Sequence, residues 1–186
     1  ILGSAIVELT IKGDSQTKKI VFSGDLGRYN KPILRNPSSI SQADILLVES
    51  TYGNRDNPVD NPKELFAKVV NEAFAQGGCL LIPAFAVGRT QSLIFYLKQL
   101  IEEKKIPSVP IFIDSPMGIS ATGIYKRNKT FHNLNDEAVS IFDFQNIRYF
   151  RSQAESISIN SIKKNAIIIS SSGMCNGGRI LHHLYN

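Results

Sequence analysis

Carboxylates follow three apolar segments of this chain, in positions where a side chain could bind a metal or transfer a proton. Asp25 lies in the glycine-flanked turn of KIVFSGDLG, residues 19–27, and Glu49 and Asp114 each end an apolar run. Ligands of open α/β sheets bind where the strands end, so three such acids favour a site over three separate caps of nearby turns. One carboxylate cannot hold a transition metal alone, because a zinc site takes three or four protein ligands.

Two glycine-containing segments add possible contacts for an anion. The segment SSSGMCNGGRILHH, residues 170–183, is predicted to run from a strand through a glycine-rich turn into a helix that carries Arg179. The segment AFAVGRTQS, residues 84–92, places Arg89 at the start of another predicted helix. Backbone N–H groups in such turns, together with the helix dipole, favour phosphate. A plain tight turn explains the same glycines, so each segment alone is a weak signal.

Histidine, the usual proton-transfer residue and zinc ligand, is scarce in this chain. His132 lies in a polar loop and is predicted to be an ordinary surface residue. His182 and His183 are neighbours on a predicted helix, so their side chains point about 100° apart. Two histidines that share a metal on a helix need i, i+4 spacing, and we therefore expect at most one of this pair to be functional.

The elements that must position these residues change in pattern near residue 54. From 54 to 181, strands alternate with helices, which is typical of a parallel sheet covered by helices. Before that point, the strands at 4–11 and 19–23 are predicted to be antiparallel. The continuous apolar run at 44–49 predicts a strand buried on both faces.

Helix boundaries are marked by local signals. Pro62 occupies the predicted first helical position, and Gly77-Gly78 is predicted to end that helix. The segment SQAE, residues 152–155, has the spacing of a capping box. The segment NDEAVSIF, residues 135–142, predicts a further short helix.

The composition is that of an ordinary globular chain with a mild excess of basic residues. The 186 residues are 42% hydrophobic and 20% charged, with a net charge of +5 and a pI near 9.2. This charge favours an anionic partner only weakly. No run reaches the roughly 18 apolar residues that a membrane-spanning helix needs. Cys79 and Cys175 are too few for a disulfide framework and fit a reducing cytoplasm.

Five ordered blocks of the sequence resemble the β-CASP branch of the metallo-β-lactamase-fold nucleases. That branch includes ribonuclease J and the endonuclease subunit of the messenger-RNA cleavage and polyadenylation complex. The resemblance covers essentially the whole chain and is far more specific than any single glycine motif. The blocks are FSGDLGR, DILLVESTYGNRD, LLIPAFAVGRTQSLIFYL, IFIDSPM and SSSGMCNGGRILHHL.

The resemblance implies the fold and its division into domains. The expected class is α/β, with part of a metallo-β-lactamase fold over residues 1–53. An inserted β-CASP domain, with a mainly parallel sheet flanked by helices, is expected over residues 54–181. Residues 182–186 would then begin the return into the metallo-β-lactamase domain. The chain opens inside a predicted strand without a Met and stops inside a predicted helix, so we expect a piece of a longer protein.

The resemblance also implies a catalytic set for a hydrolase of RNA phosphodiesters that uses two zinc ions. Asp25 corresponds to the carboxylate that bridges both metals, and Glu49 to the first β-CASP motif. By its offset from the glycines, His183 rather than His182 corresponds to the second motif. Held by Glu49, it would act as a general acid for the leaving oxygen or stabilise the phosphorane. Single-stranded RNA is the expected partner, with no membrane, and its phosphates would contact Arg89, Ser172 and Arg179.

The departures from the family pattern limit what this chain is expected to do alone. The main metal motif, His-x-His-x-Asp-His, is absent, and the chain starts just past a further expected ligand histidine. We therefore expect little or no zinc and no cleavage from this chain alone. Endonuclease and exonuclease activity both stay open. A non-catalytic RNA-binding or assembly domain and a DNA-directed nuclease are the alternative interpretations.

Overall fold

The computed structural model describes residues 1–56, 61–134 and 140–186. Contacts divide the chain into two compact units, Ile1–Val59 with Thr130–Asn133 and Asp60–Lys129 with Leu134–Asn186. Residues 182–186 are grouped with the second unit, and the predicted domain boundaries at 53/54 and 181/182 stay predictions. The inserted-domain arrangement itself stays a prediction. No helix in the described ranges is long and apolar enough to cross a membrane.

The first unit is built on a three-stranded sheet with its second strand in the middle. Strand β1, Val7–Lys12, and strand β2, Thr17–Phe22, form the predicted antiparallel hairpin, in which Val7 pairs with Phe22. Strand β3, Ile45–Leu47, runs parallel to β2. The two acids predicted from this region, Asp25 and Glu49, therefore follow neighbouring parallel strands.

The prediction that the third strand is buried on both faces is wrong. Ile45, Leu46 and Leu47 are about half exposed, at 48%, 59% and 48%. A strand is buried on both faces only where helices or a second sheet cover both. The described part of the first unit contains three strands but no α-helix that could cover this sheet.

His132 contradicts the prediction that it lies at the surface. Its side chain is only 3% exposed, and its backbone forms an antiparallel bridge with Leu34. Next to it, the backbone N–H of Asn133 donates to the carbonyl of Ile33 at 2.8 Å, and its side-chain amide donates to the carbonyl of Leu34. A polar sequence around the histidine suggested exposure, but these pairings with a distant loop cover it.

The second unit contains the predicted parallel sheet. Its strands, in spatial order, are β4, β7, β5 and β6, and all neighbours run parallel. The last strand of the chain is thus inserted between two earlier ones, so that its carboxyl end lies beside those of β4 and β5. The strands are β4 Leu80–Pro83, β5 Ile111–Asp114, β6 Ile147–Tyr149 and β7 Ile167–Ser170.

Helices connect these strands and flank the sheet. They are α1 Pro62–Ala75, α2 Arg89–Glu102, α3 Pro116–Arg127, α4 Gln153–Ile159 and α5 Ile180–Tyr185. The α/β class with a parallel sheet flanked by helices is confirmed. The helix predicted over 135–142 lies mostly outside the described residues, and Ser140–Asp143 is a 3₁₀ helix.

Local caps fix the starts of three helices, and the sequence predicts two of these starts, those of α1 and α4. Asn61 caps α1 by accepting a hydrogen bond from Lys63, with Pro62 at the first helical position. Ser115 caps α3 by accepting from the Gly118 N–H, and Ser152 with Glu155 forms the predicted capping box at α4. Such caps satisfy backbone donors that a helix leaves free. They orient α3 and α4 beside the carboxyl end of β5.

The core of the second unit lies on both faces of its sheet. Alternate residues of β5 and β7 point to opposite faces because side chains alternate along a strand. On one face Phe112 and Ile168 pack with Ile159 of α4, and the ring of Phe112 meets that of Phe150 edge to face at 5.4 Å. On the other face the buried side chains are those of Ile111, Ile113, Ile167 and Ile169. Burial on both faces makes this sheet a rigid base for the loops at its carboxyl edge.

Candidate functional site

Three loops meet at the carboxyl edge of the second unit's sheet, where parallel sheets bind ligands. They follow β4 at residues 84–88, β5 at 115 and β7 at 171–179. The Ser115 and Ser171 hydroxyls are 3.0 Å apart, and the Ala84 N–H donates to the carbonyl of Ser170 at 2.9 Å. These contacts tie the three loops together into one surface, which we call the carboxyl-edge surface.

A buried carboxylate lies directly beneath this surface. Asp114, the last residue of β5, is 0% exposed. Its Oδ1 accepts a hydrogen bond from Nη1 of Arg179 at 2.6 Å, and its Oδ2 accepts from the Ser156 hydroxyl at 2.6 Å. Its Oδ2 also lies 2.7 Å from Nε2 of His183. Since an ionised carboxylate only accepts hydrogen bonds, Nε2 carries the proton in this pair.

The second ring nitrogen of His183 is engaged as well. Nδ1 lies 3.0 Å from Oδ1 of Asn160, and the residue is 6% exposed. Because each ring nitrogen has its own hydrogen-bond partner, the imidazole is held in one orientation. We refer to the five side chains held together in this way as the Asp114 cluster, which comprises Asp114, Ser156, Asn160, Arg179 and His183.

Electrostatics keep the Asp114 carboxyl ionised. Burial alone would raise its pKa, but the hydrogen bonds from His183, Ser156 and Arg179 and the positive charge of Arg179 together hold that pKa below its ordinary value. Hydrogen bonds to the charged form of an acid favour that form. The cluster therefore combines a buried negative charge with an arginine that is 23% exposed at the side chain.

The Arg179 guanidinium is largely occupied within the protein. Besides Asp114, it donates from Nη2 to the carbonyl of Arg151 at 2.7 Å and from Nη1 to the carbonyl of Phe150 at 3.4 Å. These bonds join α5 to the segment that follows β6. They make the side chain a structural tie, and its predicted contact with a phosphate stays a prediction.

The glycine-rich loop is folded tightly against the preceding strand. Gly178 has a φ of +80°, and a Cβ on it would lie 2.4 Å from the carbonyl oxygen of Ser171. The Ser172 hydroxyl donates to Oδ1 of Asn176 at 2.9 Å, and the Ser172 N–H donates to the carbonyl of Gly177. A side chain at Gly178 would therefore force the loop open. The loop holds Ser172 partly exposed, as a contact with substrate would need.

Arg89 and Phe85 are the exposed members of the carboxyl-edge surface on its β4 side. Arg89 begins α2 and is exposed, and within the described ranges its guanidinium has no hydrogen bond or ion pair. Phe85 is 57% exposed although its neighbours Ala84 and Ala86 are buried. Gln91, buried beneath them, donates to the carbonyls of Ala86 and Gly118. It thus fixes this loop against the start of α3.

The acids of the first unit have different surroundings. Asp25 is exposed, and its backbone carbonyl accepts a hydrogen bond from the Ser4 hydroxyl at 2.9 Å. Glu49 is exposed too, and its Oε2 accepts from the N–H of Thr51 at 3.0 Å. Its own N–H donates to the Ser23 hydroxyl, which links the segments that follow β2 and β3.

Comparison with known proteins decides the family. The Beta-Casp domain model matches residues 90–186, which include all of α2 except Arg89, strand β5, the glycine-rich loop and the whole Asp114 cluster. The chain belongs to the β-CASP family. This confirms the resemblance stated from the sequence blocks and the fold class that it implied.

Relatives extend the match across the whole chain. Ribonuclease TTHA0252 of Thermus thermophilus is 34% identical over 98% of this chain and 42% of its own length. A transcription termination factor, FttA, of Methanosarcina mazei is 30% identical over 98% of this chain and 30% of its own length. Cleavage and polyadenylation specificity factor subunit 3 of Dictyostelium discoideum is 30% identical over 78% of this chain. The chain spans less than half the length of these relatives.

The site residues predicted for this β-CASP chain fall into two groups. Asp25 and Glu49 lie in the first unit; Arg89, Ser172, Arg179 and His183 lie in the second. Within the second unit, the structure joins Arg179 and His183 through Asp114. The predicted contact of Glu49 with His183 stays a prediction; within the second unit, Asp114 and Asn160 lie within hydrogen-bond distance of the two ring nitrogens of His183.

In the sequence, Asp114 is recognisable as a strand-end acid, but it is not among the residues predicted to be catalytic or to bind a ligand. Its position at the end of a buried strand was the available signal. Ser156 and Asn160 gave no signal, because a serine within a short helix and an asparagine just after its last residue are ordinary there. Their role follows only from the packing of α4 beside β5.

Proposed function

We propose that this chain is part of a longer protein that hydrolyses RNA phosphodiester bonds. The similarity that extends over 98% of the chain to a protein named a ribonuclease carries this proposal. A second relative of the same extent is named an RNase J-like protein. We call the longer protein the parent. Its activity, substrate and partners are proposals, because this chain spans 42% and 43% of those two relatives.

The carboxyl-edge surface supports RNA as the substrate. Its loops, residues 84–88 and 171–178, contain no Asp or Glu, and the buried Asp114 beneath them is neutralised by its contact with Arg179. The guanidinium of Arg89, which makes no hydrogen bond or ion pair with the described residues, and the partly exposed hydroxyl of Ser172 supply donors that phosphate oxygens accept. Loops without acidic residues avoid local repulsion of a polyanion.

The metal requirement is proposed for the parent and not for this chain by itself. Asp25 offers an exposed carboxylate at the end of β2, which suits one ligand of a zinc pair. The described ranges contain no group of three or more His, Cys, Asp or Glu residues placed to hold a metal. A zinc site needs at least three ligands, so the described residues alone do not fit two zinc ions. We propose that this chain alone is inactive.

The location of the parent is proposed to be the cytoplasm. Cys79 and Cys175 are both free thiols, as is usual in a reducing compartment. Burial raises the pKa of the Cys79 thiol, which fits a packed residue rather than a reactive one.

The test of the proposed function is cleavage of a single-stranded RNA by the purified parent. We expect shortened products with zinc and none after the metal is removed by a chelator, and readdition of zinc should restore cleavage. A DNA of the same sequence is the matched control substrate. Equal cleavage of both would support the DNA-directed alternative, and no cleavage of either would contradict the proposal.

A second candidate is an RNA-binding role in transcription termination without cleavage. It rests on the relatives named transcription termination factor FttA, which match this chain over 98% of its length at 28–32% identity. The same experiment separates the two functions. A parent that binds the RNA but releases no products with zinc present would favour the second candidate.

A further inference from the structure

We propose that Phe85 is a stacking platform for one unpaired nucleobase of the RNA substrate. This inference rests on the proposed function, since it names how the same surface holds the RNA. Phe85 presents an exposed aromatic ring at the edge where the sheet's loops converge. The ring is 57% exposed, whereas Ala84 and Ala86 on either side are 1% and 8% exposed.

The backbone that carries this ring is firmly anchored. The Phe85 carbonyl accepts hydrogen bonds from the Thr90 N–H at 3.3 Å and from the Thr90 hydroxyl at 2.9 Å. The Ala84 N–H, just before Phe85, donates to the carbonyl of Ser170 at the end of β7. The Gly88 N–H, three residues after Phe85, donates to Oε1 of Gln91. An anchored backbone means that little conformational entropy is lost when a ligand covers the ring.

The ring itself is also held on one side. A Cβ on Gly173 would lie 2.9 Å from Cδ2 of Phe85 and 2.9 Å from its backbone nitrogen. The absence of a side chain at Gly173 thus lets the Phe85 ring rest against the glycine-rich loop. One edge of the ring is supported, and the remaining surface faces solvent, as a stacking platform requires.

The surroundings of the ring favour a nucleic acid over an apolar protein segment. Arg89, four residues further along, is exposed and has no ion-pair partner within the described ranges. Ser172, beside Gly173, presents a partly exposed hydroxyl. Single-strand binding sites combine such donors, which contact the backbone, with aromatic rings on which bases stack.

The test measures binding of a phosphorothioate-linked single-stranded RNA decamer to the purified parent by fluorescence anisotropy. A series of decamers, each abasic at one position, locates the stacked base. For the wild type we expect one abasic position to weaken binding about tenfold, the usual scale of one base–aromatic stack. Phe85→Leu keeps an apolar contact with Gly173 but removes the aromatic ring.

The Phe85→Leu variant should bind the intact decamer about tenfold more weakly than the wild type, on the same stacking scale. The decisive abasic position should then have no further effect on it. Phe85→Tyr should restore both the affinity and the abasic effect. The matched control is Leu184→Ala, which removes a side chain of similar exposure, 53%, near the opposite edge of the sheet, where Lys163 donates to the carbonyl of Asn186. It should bind like the wild type.

Two results would overturn the inference while the proposed function stands. One is wild-type RNA affinity in Phe85→Leu, and the other is an abasic effect that persists unchanged in that variant. If Phe85→Leu instead abolishes a self-association of the wild type and leaves RNA affinity unchanged, the ring contacts protein and the inference fails. A wild-type parent that binds no RNA would overturn both the inference and the proposed function.

Discussion

Asp114 and His183, which lie 69 positions apart in the sequence, meet in a buried hydrogen bond of 2.7 Å. The bond joins the end of β5 to α5, and Arg179 holds the other oxygen of the same carboxylate at 2.6 Å. Ser156 adds a third contact, from α4. One side chain thereby fixes two helices and the glycine-rich loop between β7 and α5. The shape of the carboxyl-edge surface depends on this carboxylate.

Replacement of Asp114 by Asn should destabilise the second unit strongly. The amide loses the charge that Arg179 faces, and its NH₂ group must point at a donor. Breaking a buried ion pair costs about 3–5 kcal/mol, and the partial exposure of Arg179 brings our expectation to about 2–4 kcal/mol. Denaturant unfolding followed by circular dichroism measures this loss.

The control for that variant is Asp143→Asn, which removes an exposed ion pair with Lys126. Surface ion pairs contribute about 0–1 kcal/mol to stability, so this substitution should leave the free energy of unfolding nearly unchanged. Equal effects of the two substitutions would contradict a special role for Asp114.

Acid should remove the contribution of Asp114 to stability. Its pKa is lower in the folded state than in the unfolded chain, because the hydrogen bonds from His183, Ser156 and Arg179 outweigh the effect of burial. Its stabilisation is therefore fully present above the unfolded pKa of about 3.9 and is lost as the pH falls through the folded pKa. The free energy of unfolding should fall below about pH 4 more steeply in the wild type than in Asp114→Asn. Parallel pH profiles for the two proteins would count against this assignment.

The neighbouring histidines provide a matched pair. His183→Ala leaves a cavity and removes the donor to a buried carboxylate, which should cost about 2–4 kcal/mol. His182 is exposed, and its replacement by Ala should change stability by less than about 0.5 kcal/mol. Thermal unfolding of both variants measures the difference.

A catalytic role for His183 is a separate prediction with its own readout. The assay uses the parent at a temperature well below its unfolding temperature. Under these conditions, His183→Ala should slow RNA cleavage while the bound metal is retained. If cleavage falls only in proportion to the folded fraction, His183 acts through the fold alone. A larger loss of activity in His182→Ala would mean that the wrong histidine was assigned.

Features set by neighbouring residues could be predicted from the sequence, and features set by distant contacts could not. Asn61 and Pro62 at α1, and Ser152 with Glu155 at α4, obey local capping rules, and the alternation of apolar runs located the parallel strands. The insertion of β7 between β4 and β5 is a long-range pairing that no local pattern encodes.

Burial of individual side chains is hard to predict from the sequence for the same reason, because it depends on distant contacts. Leu46 belongs to an apolar run that predicts a buried strand, yet it is 59% exposed, and His132 in a polar loop is buried. Each depends on which distant segment covers it. The candidate site divides likewise: Asp114 was visible as a strand-end acid, whereas its partners on α4 and α5 required the packed structure.

The glycine-rich loop offers a direct test through its last two glycines. Gly178 has a φ of +80°, and a Cβ there would lie 2.4 Å from the Ser171 carbonyl oxygen and 2.7 Å from the Ser172 nitrogen. The strained backbone and the clash should together cost about 2–4 kcal/mol in Gly178→Ala. A Cβ on Gly177 would meet nothing within 4 Å, so Gly177→Ala should be nearly neutral. Unfolding curves that coincide for the two variants would contradict the loop geometry.

Asp25 tests the proposed metal chemistry of the parent separately from its fold. Its side chain is exposed and makes no hydrogen bond or ion pair within the described ranges, so Asp25→Ala should leave the unfolding free energy unchanged within about 0.5 kcal/mol. If the carboxylate bridges two zinc ions, the same variant should lose metal-dependent RNA cleavage and bind less zinc, as measured by atomic absorption on the purified parent. Asp44→Ala is the control, because Asp44 is also an exposed acid of the first unit but is engaged, accepting the N–H of Lys19. It should retain zinc and cleavage even if its stability falls. Full activity and normal zinc content in Asp25→Ala would remove Asp25 from the metal site, and the proposed catalytic centre would then have to be built without this carboxylate.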